Sequence, residues 1–167
     1  TTHVSILDKD GNAASITTTN GESCGHVLPG TGIMMNNMLG EEDLNPLGFH
    51  NWKKSKRLST LISPSVVINK EGHVDLVLGS AGSNRIRSAI VQVILNYLIN
   101  NMSLENAVFS PRLHLEDHEL HFEPGINFSS EILNNDNINI NAFSDINLFF
   151  GGVNAVSNKE AVADPRR

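Results

Sequence analysis

The side chain with the most distinctive chemistry in this sequence belongs to the first residue, Thr1. An N-terminal Thr carries a hydroxyl and a free α-amine, so the amine can act as general base for its own hydroxyl. Such a terminus is usually made by cleaving a precursor, and we therefore expect an upstream partner chain from the same polypeptide. The alternative is that Thr1 follows a trimmed initiator Met, in which case it needs no catalytic role.

A second candidate for chemistry is the glycine-containing run from Gly79 to Asn84, which leads directly into a predicted helix. Backbone N–H groups at a helix N-terminus lack intrahelical acceptors and favour negative charge. The run therefore suits an oxyanion hole or a phosphate cradle, although it lacks both the P-loop Lys and the dinucleotide-binding spacing. The alternative is a helix cap in which Ser83 or Asn84 is the capping residue.

Three histidines, His114, His118 and His121, lie among acidic residues in a strand-like segment. Their spacing matches no standard zinc arrangement. Strand alternation predicts that they face outward while neighbours such as Leu115 face inward. We interpret them as a polar strand face with a metal site as the alternative, and we expect the chain to need no metal or other cofactor.

The element that positions Thr1 is predicted to be a hairpin. Residues 3–8 and 13–19 have strand patterns and flank an Asp-Gly turn. This arrangement places Thr1 near Thr19, at the end of the second strand. The long polar stretch that follows, over 20–58, is typical of a binding loop or lid.

The rest of the chain mixes strand and helix patterns. Residues 65–69 and 73–78 predict a second hairpin, and apolar residues at helical spacing predict a helix over 85–100. A short helix is expected over 103–109. Two further hairpins are expected, one that joins 112–116 to 119–123 and one that joins 145–150 to 153–157. An irregular Asn-rich segment is expected over 134–141 and a polar tail over 163–167.

Composition limits the classes of function. The chain has 167 residues and a net charge of −6, and 40% of its residues are hydrophobic. This length suits one domain or one large half of a domain. No basic stripe suggests nucleic-acid binding, and no apolar run reaches the length of a membrane span. We therefore expect a chain that binds no nucleic acid and does not cross a membrane.

Motif-bearing segments extend over nearly the whole chain. They are residues 1–5, 8–13, 32–37, 56–57, 63–64, 79–86, 107–112 and 163–166. In this order and at this spacing they resemble the small subunit of the γ-glutamyltransferases (glutathione hydrolases), members of the N-terminal nucleophile hydrolase superfamily.

The resemblance implies an α+β fold, a four-layer αββα sandwich in which residues 1–167 are the small catalytic half and a separate large chain from the same precursor completes the layers. It also implies a mechanism in which Thr1 attacks an amide carbonyl and its α-amine carries the proton to the leaving amine. Backbone N–H groups of Gly82 and Ser83 hold the oxyanion, and water or an amine acceptor then resolves the acyl-enzyme.

The resemblance also assigns substrate-binding positions. Thr19 matches a family Thr near the nucleophile, Glu41 can hold the substrate ammonium, and Thr60 keeps one of two hydroxyls that bind the α-carboxylate. An Arg of the large chain completes the carboxylate site. Gly21 occupies a position where the family typically has an Asn or an acidic residue.

Other departures from the family pattern affect the same pocket. Met38 and Leu61 replace polar residues, and the oxyanion run reads Ala81-Gly82-Ser83 where the family has Pro and two Gly. Three hypotheses follow. The first is a γ-glutamyl hydrolase or transferase, and the second is a related amidase such as a poly-γ-glutamate depolymerase or β-lactam acylase. The third is a non-enzymatic relative.

Overall fold

The strands of this computed structural model, which describes residues 1–133 and 135–167, form three sheets. An antiparallel hairpin consists of β1 (Thr2–Leu7) and β2 (Ala13–Thr18). The central sheet has the order β3-β4-β8-β9, with β3 (Ser65–Ile68), β4 (Val74–Ala81), β8 (Gly152–Val156) and β9 (Ala161–Val162). The third sheet contains β5 (Leu113–Glu116), β6 (Glu119–Phe122) and β7 (Asn139–Ala142).

Helices cover one face of the central sheet. They are α1 (Arg85–Ile94), which continues as a π-helical turn (Leu95–Ile99), and α2 (Leu104–Phe109); a short α3 (Ser130–Leu133) lies further along the chain. Ser103 caps α2 by accepting a hydrogen bond from the Asn106 N–H. None of the helices among the described residues is long and apolar enough to cross a membrane.

The hydrophobic core lies between the central sheet and the helices. The helical spacing seen in the sequence is confirmed, because α1 turns its apolar side chains toward the sheet. The buried cluster comprises Leu76, Leu78, Ile86, Ala89, Ile90, Val93, Leu104, Ala107, Val108, Val153 and Ala155. This core fixes the junction between β4 and α1, where the glycine run lies.

The β1–β2 hairpin packs on the other face of the central sheet through its polar side. Ser5 donates to the Asn154 carbonyl (3.1 Å) and Ser15 donates to the Leu78 carbonyl (2.9 Å). The opposite, apolar side of the hairpin is exposed: Val4 is 49%, Ile6 50% and Ile16 54% accessible. Described residues thus supply a helical layer and two strand layers, and the α+β class is confirmed.

Two strand predictions were wrong. The predicted hairpin over 145–150 and 153–157 does not form, because residues Leu148–Phe150 make a 3₁₀ turn and β8 pairs with β4 and β9 instead. Residues 139–142 of the Asn-rich segment form β7, which pairs in parallel with β6, although Asn134 lies outside the described residues. Long-range pairing overrode the local turn and composition signals in both places.

The glycine run is also shorter than predicted. Gly79, Ser80 and Ala81 belong to β4, so only Gly82, Ser83 and Asn84 connect the strand to α1. This places the connection directly at the end of a buried central strand.

Gly79 allows the hairpin to approach β4 closely. The buried His3 ring lies over it, with Nδ1 2.7 Å from Thr17 Oγ1 and Nε2 2.8 Å from Ser5 Oγ. A Cβ at Gly79 would lie 2.2 Å from the His3 Cε1 atom. The His3 contact therefore requires glycine at this strand position.

We expect Gly79→Ala to lower the free energy of unfolding by about 1–3 kcal/mol, because the added methyl overpacks the His3 ring. Urea unfolding followed by circular dichroism measures the change. Gly40→Ala is the control, since a Cβ there meets no atom within 4 Å, and it should shift stability by no more than about 0.5 kcal/mol. Equal shifts in the two variants would contradict this interpretation of Gly79.

Candidate active site

Thr1 lies beside Thr19, as the predicted hairpin requires. The β1–β2 register pairs Thr2 with Thr18. Thr1, which precedes Thr2, is therefore a neighbour of Thr19, which follows Thr18. Thr1 Oγ1 donates to Thr19 Oγ1 over 3.0 Å, and Thr19 Oγ1 also accepts from the Gly21 N–H over 3.0 Å. Thr19 therefore orients the Thr1 hydroxyl and ties it to the loop that follows β2.

The connection between β4 and α1 presents unpaired backbone donors. No hydrogen bond joins the N–H of Gly82 or Ser83 to an acceptor among the described residues. Gly82 has φ +139° and Ser83 has φ 51°, both in the left-handed half of backbone space. The helix-cap alternative is wrong, because Asn84 makes no side-chain cap hydrogen bond and Ser83 Oγ donates to Asp43 Oδ2 over 2.9 Å.

All seven sequence-predicted site residues line one cavity of about 490 Å³. They are Thr1, Thr19, Gly21, Glu41, Thr60, Gly82 and Ser83. The cavity also contains the carboxylates of Glu22, Glu42 and Asp43 together with Arg85 and Arg167. Four acidic residues thus line the cavity together with two arginines and the α-amine of Thr1, and this excess of acidic groups favours a ligand with a positive charge.

Glu41 lies directly over Gly21. A Cβ at Gly21 would lie 2.1 Å from Glu41 Oε1 and 2.2 Å from Asn37 Oδ1, and Gly21 has φ +65°. Burial raises the pKa of Glu41, and the nearby carboxylates of Asp43 and Glu22 raise it further. The carboxylate of Glu41 thus fills the space that a side chain at position 21 would need.

Two of the departures from the family pattern, at Met38 and Leu61, add apolar residues to the cavity lining. Thr60 Oγ1 accepts a hydrogen bond from the Ile62 N–H over 3.2 Å. Met38 and Leu61 line the same cavity and contribute apolar surface. The cavity lining therefore combines acidic and apolar residues.

The histidine segment is arranged differently from the prediction. In β5 His114 is buried with Nδ1 2.7 Å from Ser88 Oγ whereas Leu115 is exposed, so the predicted faces are reversed there; in β6 Leu120 is buried, as predicted. The His121 ring packs against Phe149 with centroids 4.7 Å apart. Within residues 1–133 and 135–167, no three His, Cys, Asp or Glu side chains form a potential metal site.

Sequence reasoning missed a buried ionic cluster that supports the site. Arg112 Nη2 donates to Asp164 Oδ2 over 2.5 Å, and Arg166 pairs with both Asp164 and Glu123. The tail expected to be merely polar is thus buried at Asp164 and Arg166. The alternating charges of its Asp-Pro-Arg sequence were the available signal, but nothing in them revealed the partners.

This ionic cluster fixes the segment that faces the oxyanion candidate. Asp164 Oδ2 accepts from the Val153 N–H (2.7 Å), and the Phe150 carbonyl accepts from Arg112 Nη1 (3.3 Å). Between them lies Gly151, whose Cα is 2.5 Å from the position of a Cβ added to Gly82. Because Gly82 and Gly151 have no side chains, their backbones can approach each other closely at the cavity wall, which Gly82 lines.

Comparison with known proteins gives one family. A family model described as Gamma-glutamyltranspeptidase matches residues 1–167. The chain is 37% identical over 128 residues to the Acylase ACY 1 proenzyme of Pseudomonas sp. (strain SE83), covering 75% of this chain and 23% of that protein. It is 33% identical over 153 residues to the Glutathione hydrolase proenzyme of Escherichia coli (strain K12), covering 80% and 25%.

A solved structure is also similar. Gamma-glutamyltranspeptidase from Pseudomonas nitroreducens, complexed with L-DON, superposes with a TM-score of 0.78 at 30% identity. The superposition covers 100% of this chain and 96% of the other. This chain spans about a quarter of the length of the curated relatives that it matches.

Proposed function

This chain belongs to the gamma-glutamyltranspeptidase family, and from that premise we propose that it is the small catalytic chain of an amide hydrolase and acyltransferase acting on γ-glutamyl amides such as glutathione. The observation that carries the proposal is the shared cavity of Thr1, the unpaired donors of Gly82 and Ser83, and Glu41. Nucleophile, oxyanion donors and an anionic recognition group are together there.

The reaction proceeds through Thr1 when its α-amine is free. Thr1 Oγ attacks the amide carbonyl while the α-amine takes the hydroxyl proton, and Thr19 holds the hydroxyl in place. The N–H groups of Gly82 and Ser83 stabilise the oxyanion, a contribution of about 3 kcal/mol for each such donor. The α-amine then protonates the leaving amine, and water or an amine acceptor releases the acyl group.

The partner in this proposal is a large N-terminal chain of the same precursor. Relatives of this chain are named proenzymes and are more than three times as long, which supports autocatalytic cleavage before Thr1. The exposed apolar side of the β1–β2 hairpin, with Val4, Ile6 and Ile16, is the surface that a fourth, helical layer would cover.

Glu41 is the proposed ligand of the substrate ammonium. We expect Glu41→Gln to raise KM for γ-glutamyl anilide about tenfold or more, because a charge-assisted contact is lost. In the wild type KM should rise as pH falls through the pKa of Glu41, at a pH above the ordinary Glu range because that pKa is raised. Protonation at low pH removes the charge that attracts the ammonium.

Glutaryl anilide is the matched control substrate, since it lacks only the ammonium. Steady-state kinetics of both substrates from acidic to neutral pH should show that Glu41→Gln affects KM for γ-glutamyl anilide alone. An equal effect on both substrates would show that Glu41 does not bind the ammonium.

The second candidate function is an acylase for a less polar acyl group. Met38 and Leu61 favour it, because they contribute apolar surface to the cavity, and one relative is named an acylase. The same two anilides test the choice: a higher kcat/KM for γ-glutamyl anilide supports the first function, and a higher value for glutaryl anilide supports the second.

A further inference from the structure

The hydrogen bond between Ser83 and Asp43 joins two separate parts of the cavity wall. Ser83 follows β4, whereas Asp43 lies forty residues earlier on a 3₁₀ turn (Glu42–Leu44). Ser83 Oγ donates to Asp43 Oδ2 over 2.9 Å, and both residues line the cavity that contains Thr1. The contact therefore acts at the proposed oxyanion site.

Ser83 needs such a contact because of its backbone conformation. Its φ of 51° lies in the left-handed region, which glycine adopts readily and other L-residues adopt at a cost. Its N–H has no acceptor among the described residues, and the direction of that N–H relative to α1 depends on φ. A hydrogen bond to a carboxylate is stronger than one between neutral groups and favours the conformer that makes it.

The side chain of Asp43 is exposed, but the backbone of the turn that carries it is held in place. The next two residues, Leu44 and Asn45, are buried, and Asn45 Nδ2 donates to the carbonyls of Glu41 (2.6 Å) and Leu39 (3.1 Å). Trp52 Nε1 donates to the Leu44 carbonyl over 3.2 Å. These hydrogen bonds hold the backbone of the loop both before and after Asp43.

We propose that Asp43 is a positioning residue that holds Ser83 in the left-handed conformation and so aims its N–H at the oxyanion. This inference rests on the proposed function. The family pattern has a glycine at the position of Ser83, and glycine adopts the left-handed conformation readily. In this chain the hydrogen bond from Ser83 to Asp43 takes the place of that conformational freedom. The carboxylate of Asp43 acts through Ser83 and does not touch the reacting atoms.

The test is a kinetic cycle with γ-glutamyl anilide on the complete protein. Asp43→Ala and Ser83→Ala should each lower kcat about tenfold. This loss is smaller than the roughly hundredfold loss expected when an oxyanion donor is removed completely, because the Ser83 N–H is still present. KM should change less than about twofold. In a Ser83→Gly background, adding Asp43→Ala should lower kcat less than about twofold, because glycine needs no partner at this φ.

Two further measurements separate this role from others. Glu71→Ala removes an exposed carboxylate of the β3–β4 turn, outside the cavity, and should change kcat less than about twofold. Thermal unfolding of all variants checks that each is folded. An equal loss of kcat on Asp43→Ala in the wild-type and Ser83→Gly backgrounds would overturn the inference, because Asp43 would then act by charge or on the substrate.

The inference and the proposed function fail in different ways. If wild-type protein turns over γ-glutamyl anilide and Asp43→Ala does not lower kcat, the inference alone is refuted. If correctly cleaved wild-type protein turns over no amide substrate, the proposed function is refuted and the inference with it.

Discussion

Turnover of γ-glutamyl anilide is expected to fall about a thousandfold or more in Thr1→Ala, because that variant lacks the attacking oxygen. Thr1→Ser keeps both the hydroxyl and the α-amine and should retain measurable turnover. The hydroxyl of Thr1 lies 3.0 Å from Thr19 Oγ1 at the cavity wall, and in the proposed mechanism the Thr19 hydroxyl only orients it.

The measurement needs a design that separates chemistry from maturation. Cleavage of the proposed precursor also depends on the Thr1 hydroxyl, so the variants should be made from two co-expressed chains with ends verified by intact mass. Thr2→Ala is the matched control and should change kcat less than about threefold. Thr1→Ala protein that keeps more than about a tenth of wild-type kcat would contradict the nucleophile assignment.

The second large effect is expected on stability. Asp164→Ala should lower the free energy of unfolding by about 3–5 kcal/mol, because it leaves buried guanidinium groups of Arg112 and Arg166 without their shared carboxylate. The side chains in these two pairs are 0–2% exposed, so water cannot replace the lost partner. The Val153 N–H also loses its acceptor.

Urea unfolding of the complete protein, followed by circular dichroism, measures this change through its midpoint. Asp10→Ala is the matched control, since Asp10 pairs with Lys9 on the surface and its loss should shift stability by no more than about 0.5 kcal/mol. Similar midpoints for the two variants would mean that the buried cluster does not stabilise the fold.

Much of the site could be predicted because its geometry follows from local patterns. Alternation on either side of an Asp-Gly turn fixes the hairpin that brings Thr1 to Thr19. A glycine run before an amphipathic helix likewise predicts unpaired backbone donors, which the family resemblance assigns to Gly82 and Ser83. Both inferences use residues that are near one another in sequence, where propensity and periodicity carry information.

The parts that failed depend on distant partners. Gly151 and Gly152 have the composition of a hairpin turn, but Gly151 is required where the backbone meets Gly82. Asp164 and Arg166 have the composition of an exposed tail, yet their charges are neutralised inside the protein. His114 is buried because Ser88 of α1 provides a hydrogen-bond partner. None of these contacts can be read from a local pattern.

The most direct test of the account is the location of the acyl group during turnover. Wild-type protein is mixed with γ-glutamyl anilide, quenched in acid within the first turnovers, digested and analysed by mass spectrometry. We expect the peptide that begins at Thr1 to gain the mass of one γ-glutamyl group. Turnover with an adduct on another residue would contradict Thr1 as the nucleophile. Turnover without any trapped acyl-enzyme, under conditions in which it should accumulate, would contradict it as well.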